Sequence, residues 1–120
     1  MAKTVTFTID GETSDYIKVS EVNEFKVEKT EKHGYYPVGN QVMIRTVTMI
    51  YVGTLIDVTK EEFILTKAAW IPDSGRWNEF MKDGNNASEV EPYVQSEVVI
   101  VSRGASLDVS KISGSFEEVK

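Results

Sequence analysis

The chain contains no cysteine, and this single absence removes several kinds of site at once. Without thiols there are no disulfides, no thiolate zinc sites and no cysteine nucleophiles. Histidine is nearly as scarce, because His33 is the only one. It lies in a charged turn, where a solvated histidine is more common than a catalytic base. Long apolar runs are missing too. The longest, such as 98–101, have the length of a strand, whereas a membrane-spanning helix needs about 20 apolar residues.

Positive charge is also limited, since the chain has 13 Lys and Arg but 19 Asp and Glu, which gives a net charge of −6. A protein that coats DNA or RNA needs many cationic contacts to phosphates, so we expect no nucleic-acid polymer as partner. We expect no membrane partner either, because no apolar segment is long enough to span one. The first residues lack the apolar core and cleavage site of a secretory signal, which predicts a cytosolic location.

Groups that carry catalysis are sparse. The acidic residues form no metal-like cluster, and the pairs at 61–62, 89 and 91, and 117–118 do not have the spacing of a metal site. No glycine-rich phosphate loop of standard spacing occurs. The sequence therefore predicts a binding protein rather than an enzyme, with no catalytic residue, no metal ligand and no cofactor.

Alternating apolar and β-branched residues predict a mainly β fold. In residues 4–9, Val5, Phe7 and Ile9 alternate with threonines, as in a half-buried strand. Further strands are predicted over 16–19, 25–29, 42–48, 50–58, 62–67, 98–101 and 107–109. The glycine at position 53, inside a strand, indicates a bulge or a close approach of another backbone.

One short helix is predicted after the central strands. Asp73 or Ser74 is expected to cap it, and Trp77, Phe80 and Met81 fall on one helical face. The fold class is therefore mainly β (α+β): a small antiparallel barrel or twisted sheet with one short helix. We expect one domain over 1–120, made of an N-terminal β meander (1–34), a core sheet plus helix (41–109) and a frayed tail (113–120).

The informative polar residues are the three arginines, Arg45, Arg76 and Arg103. A guanidinium suits bidentate phosphate contacts and stacking on bases. Both tryptophans, Trp70 and Trp77, lie in the same middle region of the chain, and aromatic faces are common platforms for nucleobases. The candidate ligand-binding set is Arg45, Thr46, Tyr51, Trp70, Arg76, Trp77 and Arg103.

Ordinary structural roles are the alternative to ligand binding for several of these residues. Trp77, at helical spacing from Phe80, is more often a core residue than a ligand platform. Arg45 is as well explained by an acidic partner on a neighbouring strand. For Trp70 and Arg103 the structural and ligand-binding roles are evenly balanced.

Three segments carry a resemblance to a known family: VMIRTVTMIYVGTL (42–55), AAWIPDSGRW (68–77) and VSRGA (101–105). The sequence resembles small phage proteins, and among them the anti-CBASS sponge family is most similar in size and layout. The resemblance implies an immune-evasion protein in the host cytoplasm that sequesters cyclic dinucleotides such as 3′,3′-cyclic GMP-AMP without cleaving them, as a homo-oligomer, a tetramer. The nucleotide, its linkage isomer and the exact oligomer stay open.

Two alternatives remain. In the first, the protein is a protein-binding inhibitor or a phage structural adaptor and has no nucleotide ligand. In the second, it is an enzyme that degrades a nucleotide signal, which the lack of a metal cluster in the sequence disfavours.

Overall fold

The computed structural model describes residues 29, 30 and 32–120 with their side chains, and the backbone of two N-terminal strands. These strands, β1 (Thr4–Ile9) and β2 (Glu12–Lys18), pair antiparallel as a sheet of their own. The strand predicted over 4–9 is confirmed, and the next begins earlier than the predicted 16–19. The strand predicted over 25–29 lies almost wholly outside the described residues.

Six further strands form the main antiparallel sheet. They are β3 (Gln41–Thr46), β4 (Ile50–Val58), β5 (Glu62–Asp73), β6 (Glu89–Pro92), β7 (Val98–Ser102) and β8 (Ser106–Lys111). Their order is β6-β5-β4-β3-β8, and β7 also pairs with β5. The mainly β fold is therefore confirmed. Of the two predicted forms the open sheet is found, because the strands do not close into a barrel.

The long strand β5 carries two partners in succession along one side. Its first half pairs with β7, where Leu65 lies opposite Val99, and its second half pairs with β6, where Trp70 lies opposite Glu91. Between them Lys67 has a positive φ of 49°, and the β4 register shifts beside it. Gly53 fits this irregularity, since a Cβ there would lie 3.0 Å from the Thr66 carbonyl oxygen. The predicted close approach at residue 53 is thus confirmed.

One face of the sheet is covered by the helix α1 (Trp77–Lys82) and by the C-terminal segment. Met43, Val52 and Ile71 of the sheet pack there against Phe80 and Phe116. The predicted helix is confirmed, but its predicted capping is wrong. Its N-cap residue is Arg76, without a side-chain cap, and the predicted cap Asp73 accepts from the Gly75 N–H instead.

The predicted frayed tail is also wrong. Within 113–120, Phe116 is buried, and Lys120 and Val90 exchange two backbone hydrogen bonds of 2.8 and 3.0 Å. Gly84 lets the segment approach this closely, because a Cβ there would lie 2.3 Å from the Phe116 ring. The segment thus behaves as an added layer of the core.

The opposite face of the sheet holds a second cluster that includes Ile44, Leu55, Phe63 and Val101. Residues 36–40 lie over part of this face. Tyr36 packs edge-on against Phe63 at 4.9 Å, and Gly39 donates its N–H to the Leu55 carbonyl. Residues 36–40 therefore cover one end of this cluster.

Candidate functional site

The seven predicted ligand-binding residues do not form one site. Arg45, Arg76 and Trp77 belong to the helix-covered face or to the helix itself. Thr46, Tyr51 and Trp70 belong to the opposite face. Arg103 lies in the turn after β7.

Arg45 is engaged in the structure by protein groups. Its Nε and Nη2 donate to both carboxylate oxygens of Asp108, its opposite residue on β8, at 3.1 and 2.6 Å. Its guanidinium carbon also lies 5.5 Å from the centre of the Trp77 ring, which in turn packs against Phe80. The acidic partner on a neighbouring strand that was weighed for Arg45 is therefore observed. Trp77 is not a core residue, because 39% of it is exposed.

Tyr51 and Trp70 lie opposite each other on β4 and β5. The Tyr51 ring stacks on Tyr93 with a 6.4 Å centroid distance, and its hydroxyl donates to the Met49 sulfur. Burial raises the pKa of the Tyr93 phenol, and the neighbouring Tyr51 adds to this shift. Thr46 closes the adjoining turn through Met49. These residues form an aromatic surface on which Trp70 is 38% exposed.

Arg103 lies in a cleft that the sequence did not predict. Its Nη1 donates to the carbonyls of Thr59 and Lys60 at 2.6 and 3.1 Å. Its guanidinium carbon lies 5.2 Å from the centre of the Tyr36 ring and 6.0 Å from that of Phe63. Arg103 therefore connects the β4–β5 hairpin to Tyr36, which belongs to the segment that covers the second cluster.

Around this arginine is an open recess, here called the Arg103 cleft, of about 290 Å³. Its walls come from the turn at 32–36, the β4–β5 hairpin and Arg103 itself, and its cationic side chains are Lys32, Lys60 and Arg103. A neighbouring pocket of about 500 Å³ shares His33, Gly34 and Tyr36 with it and extends to Val109–Lys111 on β8. The volume of this neighbouring pocket falls in the size range of small-ligand sites.

His33 and Asp57 form the polar pair at the edge of the cleft. His33 Nε2 lies 3.1 Å from Asp57 Oδ1, and the histidine side chain is only 17% exposed. The Val58 N–H, which also bonds to this carboxylate, lowers the pKa of Asp57, and the hydrogen bond with His33 adds to this effect. His33 is therefore not the solvated loop residue that the sequence suggested. It ties the turn at 32–36 to β4.

Sequence reasoning missed Tyr36, Lys32 and Lys60. The dense run Lys32-His33-Gly34-Tyr35-Tyr36 combines cations and aromatic rings within a few residues. This composition is a usable signal for a binding site, although the glycine and proline in the same segment equally predict a turn. Lys60 has no comparable signal, because a lysine in a hairpin is an ordinary surface residue.

In the described part of the chain, no three His, Asp or Glu side chains are placed to hold a metal ion. No helix in that part is long and apolar enough to cross a membrane.

Comparison with known proteins adds no relative: no family model matches, and no curated protein or solved structure matches significantly. The resemblance to the sponge family therefore stays a prediction from the sequence.

Proposed function

We propose that the protein binds a cyclic dinucleotide second messenger in the Arg103 cleft and holds it without cleaving it. The observation that carries this proposal is the placement of Lys32, Lys60 and Arg103 in the same recess as the Tyr36 ring. Phosphate oxygens are matched by ammonium and guanidinium donors, and bases by aromatic faces.

The contacts assign different roles to the cationic side chains of the cleft. The Nη1 of Arg103 already donates to two carbonyls, so Arg103 positions the β4–β5 hairpin and adds positive charge to the cleft. Lys32 and Lys60 are exposed and supply flexible phosphate donors. The larger neighbouring pocket, lined by Tyr35, Tyr36 and Val38, offers apolar and aromatic surface for a base.

Holding without cleavage is proposed separately from binding, because the His33–Asp57 pair at the edge of the cleft resembles the pairs that orient a base in hydrolases. The depletion test below distinguishes retention from hydrolysis. By removing free messenger, such a protein prevents activation of the CBASS effector in the host cytoplasm.

The first test is ligand depletion. Excess protein is incubated with a panel of cyclic di- and trinucleotides and removed by filtration, and the filtrate is chromatographed before and after the protein is denatured by heat. We expect one nucleotide to disappear and to return intact on heating. Its return as fragments would show an enzyme, and no depletion would favour the alternative of a protein-binding inhibitor or adaptor.

Residue assignment is tested by Lys32→Ala and Lys60→Ala, with Lys82→Ala on the exposed face of α1 as the matched control. Each cleft variant should weaken nucleotide binding roughly tenfold, as expected for one charge-assisted contact worth about 1.4 kcal/mol. The control should bind like the wild type in calorimetry. Depletion that persists with unchanged affinity in both cleft variants would place the ligand elsewhere.

A further inference from the structure

The outer edge of β7 carries no strand partner among the described residues, since its only ladder is with β5. Its sequence, Val98-Val99-Ile100-Val101-Ser102, contains no proline and no charge. Such edges are normally protected, because their free N–H and C=O groups recruit another strand. On one face of β7 the side chains of Val98 and Ile100 are 50% and 56% exposed.

The hydrogen-bond pattern fixes which residues of β7 point outward. Arg103 donates its N–H to the Glu61 carbonyl across from it, so Val101 and Val99 are the next residues that bond toward β5. Val98, Ile100 and Ser102 therefore direct their backbone groups away from β5. Ile100 lies at the middle of the strand, which makes it the natural centre of a symmetric antiparallel pair.

We infer that β7 pairs antiparallel with β7 of a second copy of this chain, about a two-fold axis at Ile100. In this register Ile100 faces Ile100, Val98 faces Ser102 and Val99 faces Val101. The Ile100 pair exchanges two backbone hydrogen bonds, and each Ser102 N–H reaches the Val98 carbonyl of the other copy. The Ser102 carbonyl already accepts from the Ala105 N–H at 3.3 Å and has a second lone pair for the Val98 N–H of the other copy.

Charge complementarity favours the same register. Glu97 and Arg103 flank the strand at equal distances from Ile100, so the pairing sets Glu97 of each copy opposite Arg103 of the other. Both residues lie one position beyond the ends of β7, where opposite charges on the two copies attract each other. On the opposite face, Ile64 lies beside Ile100 on β5, and pairing continues this apolar row across the axis. A second copy therefore satisfies the backbone, the charges and the apolar side chains together. This inference does not rest on the proposed function, because residues 98–102, which supply its hydrogen bonds and apolar contacts, do not line the Arg103 cleft.

Cysteine substitution tests the register directly, because the chain has no cysteine of its own. Opposed Cα atoms in a hydrogen-bonded antiparallel pair are about 5.5 Å apart, within the span of a disulfide. Ile100→Cys should therefore form a cross-linked dimer under mild oxidation. Val98→Cys should not, because the offset separates the two Val98 positions by about 14 Å. Mixing Val98→Cys with Ser102→Cys should restore the cross-link.

Proline substitution tests the energetics. Ile100→Pro removes an N–H that points away from β5, so the chain still folds, whereas the dimer loses two central hydrogen bonds. Wild-type protein should sediment at twice the chain mass, or at four times that mass if two such dimers associate, and the dissociation constant of the β7 pairing should rise roughly tenfold or more in the variant. A monomeric wild type, cross-linking of Val98→Cys as fast as Ile100→Cys, or an equally tight Ile100→Pro dimer would each overturn the inference. If the proline variant does not fold, the cysteine scan decides alone.

Discussion

Arg103 shows how one side chain in a loop supports distant parts of this fold. It donates to the Thr59 and Lys60 carbonyls at one end of the β4–β5 hairpin and lies against Tyr36 and Phe63. From the sequence alone, a loop arginine is expected to be removable without harm to the core. The contacts contradict this expectation, because they join the hairpin to the covering segment.

Arg103→Ala should therefore destabilise the protein. We expect a loss of about 1–2 kcal/mol in the free energy of unfolding, since two hydrogen bonds to carbonyls and a cation–π contact disappear. Arg103→Lys should recover only part, because an ammonium lacks the planar fork. Urea unfolding measures both, with the exposed helix-cap variant Arg76→Ala as control, expected within about 0.5 kcal/mol of wild type. Equal stability of Arg103→Ala and wild type would remove this fastening role.

The Asp57 carboxylate makes stability depend on pH in the acid range. Its pKa is lowered below 3.8 in the folded protein, so the carboxylate stabilises the fold above that value, and this contribution is lost as the pH falls through the folded pKa. Asp57→Asn should therefore be less stable than wild type at neutral pH, and the gap should close below about pH 4. Thermal unfolding across this range tests it. A stability difference between Asp57→Asn and wild type that does not change with pH would show that the charge of Asp57 does not stabilise the fold.

At the scale of elements, the C-terminal segment is the least expected part of the core. It has no regular secondary structure beyond β8, yet Phe116 is buried between Gly84 and the sheet face that α1 covers. Lys120 also bonds to Asn85 through its ammonium group at 2.7 Å. The short helix and the sheet face would otherwise expose apolar surface, so this segment completes the layer.

Phe116→Ala should cost about 3–5 kcal/mol in the free energy of unfolding, as do other truncations of buried aromatic residues. The control is Val119→Ala in the same segment, because Val119 is 72% exposed and should change stability by no more than about 0.5 kcal/mol. Denaturant titration compares the two. Similar small effects for both would mean that the segment adds little to the core.

At the scale of the whole molecule, charge is distributed unevenly. The chain carries a net charge of −6, yet Lys32, Lys60 and Arg103 meet in one recess. An acidic molecule with a local basic cleft repels long polyanions and still offers a site for a small one. The proposed ligand cleft and the proposed pairing edge of β7 adjoin at Arg103, which lines the cleft and follows β7 directly, whereas Ile100 does not line the cleft.

The amino-acid sequence by itself determined the mainly β class, the strand β4, the hairpin to β5 and the short helix, because these depend on residues close together in the chain. It did not determine β6, since Glu89-Val90-Glu91-Pro92 has no strong strand pattern and is held by pairing with distant Trp70. The candidate site was predicted only in part. Arg103 was identified, but Arg45 is bound by Asp108, 63 residues away. Tyr36 lies beside Arg103 only because the folded sheet brings these two distant residues together. Such pairings are decided by which strands become neighbours, and only the tertiary structure specifies that.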